Sequence, residues 1–189
     1  YEIALRDWSS DVCSSDLIRG DFKRAIRAAN VDAIVMTGDI AEAGTLYNAV
    51  RNLRQDTDIP AWFVLGNHDL YGSNISEVHA IARRVGTWLG ATDADPVDLA
   101  PNTCLLGVDG WYDFRVGRCE NTRIAMNDWW RIQDFASLSA GAIVAASRAL
   151  ARSAALEVMS SSRWPMVTSR LKSMCGNTSA IIIAACTAL

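Results

Sequence analysis

The chain is short of histidine, paired cysteine, long apolar runs and positive charge, and each shortage narrows its chemistry. Histidine occurs twice, as His68 and His79. The five cysteines are scattered, with no C-x-x-C pair and no compact framework, so they read as reduced thiols of a cytoplasmic protein. With a net charge of −3, nothing basic enough marks a nucleic-acid surface. The apolar run Ala180 to Cys186 falls far short of the roughly 20 residues a membrane span needs, so it reads as a buried strand. No stretch reads as a signal peptide. A flavodoxin-like binding module would need a glycine-rich loop that cradles phosphate, and none is visible. The remaining composition, 50% apolar and 21% charged over 189 residues, suits one globular domain with a sizeable core.

What is there is concentrated between Ala33 and Tyr71. Two apolar runs, Ala33 to Met36 and Ala61 to Leu65, each end in a glycine followed at once by residues that bind metals or move protons: Gly38-Asp39, then Gly66-Asn67-His68-Asp69. Between them Leu46, Ala49, Val50 and Leu53 fall at helical spacing, which predicts a helix over Ala43 to Leu53. The pattern is one βαβ unit: neighbouring parallel strands joined by a right-handed crossover. Ligands gather at the carboxyl ends of such strands. Asp39 and the Asn67-His68 pair are therefore expected on one edge, each loop turned by its glycine. Asp39 offers a carboxylate that can bridge cations, Asn67 a neutral carbonyl oxygen, and histidine exchanges a proton near neutral pH. Oxygen ligands suit Mn, Fe or Mg, and imidazole suits Fe, Mn or Zn.

G-D followed, after a helix and a strand, by G-N-H-D resembles the calcineurin-like metallophosphoesterase family. The resemblance covers roughly residues 21–135. It implies an α/β fold, here a partial metallophosphoesterase-type sandwich, an incomplete four-layer αββα. It implies hydrolysis of phosphate mono- or diesters, of small-molecule or protein origin, with two divalent metal ions (Mn, Fe, Zn or Mg) in the complete site. Metals about 3.5–4 Å apart clamp the phosphate while a hydroxide attacks in line. Carried over, Asp39 bridges the metals, Asn67 binds one of them, and His68 protonates the leaving group. Asp69 is expected to support the loop or orient His68 rather than bind metal.

The family also draws ligands from a D-x-H opening, from a histidine after a later strand and from a G-H-x-H motif. Two histidines cannot supply that set. The expectation is therefore a fragment with part of the site, the alternative being an inactive truncated or chimeric chain with at most weak metal binding. Ser15-Asp16-Leu17 looks like the D-x-H opening, but Ile18 stands where the histidine belongs. Moreover, Asp7 to Leu17 (DWSSDVCSSDL) resembles a translated sequencing-library adapter, so it is expected to be loop-like, poorly ordered or placed with few core contacts, with Asp16 not facing Asp39. On that reading the family's first strand is expected to be lost or to survive only as Tyr1 to Leu5.

Elsewhere the periodicity predicts helices over Asp21 to Asn30, Ser76 to Trp88, Asn127 to Phe135 and Ala142 to Val158, a strand over Thr103 to Val108, and a loop over Thr92 to Asn102. His79 reads as a surface or partly buried helix residue, and Trp129 and Trp130 as partly buried. Trp111 and Tyr112, in a G-W-x-D string that weakly resembles the same family, read as core with a cleft-lining alternative. Three segments follow: a non-native or disordered 1–20, a phosphoesterase-like core 21–135 and an atypical 136–189. No oligomeric state follows from the sequence.

Overall fold

The computed structural model describes residues 16–91, 94–100, 103–115, 126–160 and 179–185. The first helix, α1 (Asp16–Ala29), begins five residues before the expected Asp21 and so includes the last two residues of the adapter-like string. The rest of that string, with Tyr1 to Leu5 and the Asp16 side chain, lies outside the described residues.

The βαβ unit is present. Strand β1 (Ile34–Thr37) pairs in parallel with β2 (Ala61–Val64), with Ile34 opposite Ala61 and Thr37 opposite Val64. Helix α2 (Ala43–Thr57) joins them and buries Leu46 and Val50, one turn apart. It runs four residues beyond the expected Leu53, because Asp58 takes a left-handed turn (φ 56°) that returns its N–H to Arg54 O at 3.0 Å. Pro60 then leads into β2. Helix α3 (Ile75–Val85) starts where Asn74 accepts the Glu77 N–H at 2.8 Å and stops at Gly86, whose φ is 82°. Thr87 to Leu89 then lies along the free side of β2: Phe63 N–H donates to Thr87 O and Leu89 N–H to Phe63 O.

A second sheet has the order β3–β4–β5, in which β3 (Val97–Ala100) runs antiparallel to β4 (Thr103–Asp109) and β5 (Ser179–Ala185) parallel to it. Strand β3 corrects the loop expected there. Its V-D-L-A alternation places Val97 and Leu99 against a core between the sheets. β5 falls where the last apolar run predicted a strand.

The two sheets pack through β2 and β4. Along β2 alternate residues divide. Phe63 joins the core beneath α2 and α3, while Val64 packs with Leu89, from the segment beside β2, and with Leu105 of the second sheet. Gly107 makes the contact possible, since a Cβ there would lie 2.6 Å from Val64 Cγ1. The layering is helix, sheet, sheet: a mixed α/β fold of small parallel and antiparallel sheets.

The helix expected over Asn127 to Phe135 is two short ones, α4 (Asp128–Arg131) and α5 (Gln133–Ala136), broken at the extended Ile132. Their segment is tied to the loop after β2: Gly72 N–H donates to Arg131 O at 2.8 Å and Gln133 N–H to Ser73 O at 2.9 Å. Trp129 is partly buried as expected; Trp130, expected to be partly buried, is exposed, since α4 buries Asp128 and turns Trp129 to the core, which leaves Trp130 on its outer side. Helix α6 (Ala140–Ser160) sets Ile143 into the main core. No described helix is long and apolar enough to cross a membrane.

Candidate metal site

The loops after β1 and β2 meet at one edge. Gly38 (φ 99°) and Asp39 (φ 53°) both take left-handed backbone, which turns the chain sharply out of β1. Such a conformation is uncommon for a residue with a side chain, and aspartate is among the few that tolerate it. The turn drives the Asp39 carboxylate against the second loop. There Oδ1 accepts the His68 N–H at 3.0 Å, and Oδ2 lies 4.0 Å from His68 Nδ1. Gly66 leaves the room: a Cβ on it would lie 2.6 Å from Asp39 N and closer still to the carboxylate oxygen. The glycine of the second loop is thus required by the aspartate of the first. The side chains of Asp39 and His68 keep 36% and 34% of their surface exposed, so solvent and solutes reach both. The His68 ring packs 4.7 Å from that of Tyr71.

Asp69 holds the two loops together. It is fully buried, and it accepts the N–H groups of Ile40 and Ala41 on Oδ1 and of Gly66 on Oδ2, all at 2.8–2.9 Å. Burial pushes its carboxyl up to about 7, against the pull of the backbone donors at Ala41 and Gly66. The supporting role expected for this residue is what the geometry shows.

Asn67 is buried, and its side chain turns inward. Its Nδ2 donates to Asp128 Oδ1 at 2.8 Å and, at 3.4 Å, to Tyr71 Oη. Tyr71 and Tyr112 also donate to Asp128, at 2.6 and 2.9 Å. Burial, together with the carboxylate, pushes both phenols upward from their usual range. Tyr112 therefore belongs to a buried polar cluster rather than a cleft, with Trp111 stacked on it at 5.2 Å. Arg131 lies over the Tyr71 ring at 4.4 Å and donates to Glu42, which closes the far side.

Two further carboxylates went unnoticed in the sequence. Asp128 is 61 residues from Asn67, and only its place among aromatic residues hints at burial. Asp109, at the end of β4, accepts the Leu65 N–H at 2.7 Å and the Trp88 indole N–H at 3.0 Å. An apolar strand ending in aspartate was the available signal. His79 packs 4.8 Å from Trp88 and 4.0 Å from Asp109, and burial holds its imidazole below the ordinary value.

Of the oxygen donors expected here, the Asp39 carboxylate is part exposed, while the Asn67 amide is buried with its nitrogen engaged; donors of both kinds suit a hard divalent cation. They do not amount to a two-metal set: among the described residues no three His, Cys, Asp or Glu side chains form a group able to hold a metal ion. A cavity of about 570 Å³ lies elsewhere, between Arg51, Arg54 and Tyr47 of α2 and Arg84 of α3.

Comparison with protein families matches residues 12–145 to the model described as calcineurin-like phosphoesterase. The match extends nine residues before and ten beyond the 21–135 read from the motifs. No curated protein and no solved structure matches the chain.

Proposed function

The chain belongs to the calcineurin-like phosphoesterase family, and from that premise we propose a hydrolase of phosphate mono- or diesters whose site is the Asp39–Asn67–His68 edge. The observation that carries this reading is the contact between the two motif loops: the Asp39 carboxylate seated in the space that Gly66 leaves, bonded to the His68 N–H. Asp39 and Asn67 would hold one divalent cation, Mn or Mg by the hardness of the donors. When bound, that ion supplies charge for the phosphate oxygens.

The other work falls to the chain itself. Asp39 holds the loop of His68 by its backbone N–H. The tilted contact with the Tyr71 ring limits the swing of the imidazole, which remains accessible beside the carboxylate. From there His68 delivers a proton to the departing oxygen of the ester. Asp69 keeps both loops at fixed separation, so the proton donor and the binding residues stay in register.

The test is hydrolysis of an aryl phosphate mono- and diester with added Mn, for the wild type and His68→Ala. The reading expects a metal-dependent rate that falls about 100-fold or more in the variant, the usual contribution of a positioned proton donor. A rate indifferent to His68 contradicts it. A second reading, weak binding of one cation without turnover, is supported by the shortage of ligands: two histidines in the whole chain and no group of three candidate ligands among the described residues. Mn binding with no hydrolysis in the wild type would favour it.

A further inference from the structure

We propose that Asp128 is a positioning residue that fixes which end of the Asn67 amide meets the cation; the proposal rests on the reading of Asn67 as a metal ligand. An asparagine side chain has two ends of nearly the same shape, and only one binds a cation. Here a buried carboxylate makes the choice. Asp128 is 1% exposed, and its Oδ1 lies 2.8 Å from Asn67 Nδ2 while also accepting the Tyr71 hydroxyl at 2.6 Å. Turning the amide over would set its carbonyl oxygen against that carboxylate oxygen, acceptor to acceptor. The carbonyl oxygen is therefore the end left for a cation.

The carboxylate is itself held. Tyr112 donates to the other oxygen at 2.9 Å, and no described lysine or arginine pairs with it. A buried carboxylate with hydrogen-bond donors and no cation is costly to keep for packing alone. The backbone bond from Gly72 to Arg131 O ties α4 to the loop of Asn67, so the two side chains keep their relative placement.

The experiment is calorimetric titration of the full chain with Mn, with a thermal melt of each variant. Asn67→Ala should abolish binding. Asp128→Asn should weaken it about ten-fold, as loss of a partner behind a metal ligand does, because a neutral amide can present either end to Asn67. Tyr112→Phe removes a donor from the same carboxylate and leaves the bond to Asn67. It should lower the melting temperature and change affinity by no more than about two-fold. Wild-type affinity in Asp128→Asn, with binding lost in Asn67→Ala, overturns the proposal and spares the reading of Asn67. No binding in the wild type overturns both. If Asp128→Asn does not fold, the side-chain amide of Asn67 in a ¹⁵N spectrum of the wild type tests the same bond. Slow exchange with solvent supports the proposal, and exchange at the free rate overturns it.

Discussion

The two sheets end in the same kind of residue and use it in opposite ways. Strand β1 runs into Gly38-Asp39, and Asp39 stays about a third exposed with the His68 N–H as its hydrogen-bond donor. Strand β4 ends directly in Asp109, which is turned into the junction between the sheets, against Leu65 N–H and the Trp88 indole. Asp69 and Asp128, at the rim of the first sheet, are likewise held, by three donors each. A carboxylate has about four lone-pair sites. Those with several fixed donors hold the frame, and the one with spare acceptors and access to solvent is free for a ligand. The left-handed turn at Gly38-Asp39, absent at Asp109, makes that difference.

Substitutions can break the comparison. The largest expected effect is that of Asp69→Ala, which strands three N–H groups, one buried and two part-buried, and should cost on the order of 3 kcal/mol in a urea melt. A loss below about 1 kcal/mol would mean that Asp69 does not staple the loops. Asp109→Ala strands the Leu65 and Trp88 donors and should cost about 2 kcal/mol by the same measurement. Gly66→Ala puts a methyl where the Asp39 carboxylate sits. It should cost roughly 1–3 kcal/mol as overpacking and lose Mn binding with it. The smallest effect belongs to Asp39→Asn, since asparagine also tolerates left-handed backbone and can accept the His68 N–H; stability should change by less than about 1 kcal/mol. A large loss there would place Asp39 with the frame instead.

The contrast also marks how far the sequence could be read. The βαβ unit was legible because its evidence is local: apolar runs, a 3.6-residue stripe on α2, and a glycine at each strand end. Asp39 and His68 were legible for the same reason, and the structure puts them in contact. Strand β3 was hidden in a Pro- and Asp-rich stretch because only four alternating residues mark it, and it gains its register from β4. The start of α1 was masked by the adapter-like string, whose final residues join the helix. Asp128 was illegible because its meaning lies in a contact across 61 residues. That contact explains why Asn67 is buried rather than displayed.

The account stands or falls on whether Asp39 and Asn67 together hold one cation. Calorimetric titration of the folded chain with Mn measures this directly, as stoichiometry and affinity, for the wild type, Asp39→Ala and Asn67→Ala. The prediction is a single weak site per chain that either substitution abolishes, with His68→Ala binding as the wild type does. Binding that survives both Asp39→Ala and Asn67→Ala would contradict it.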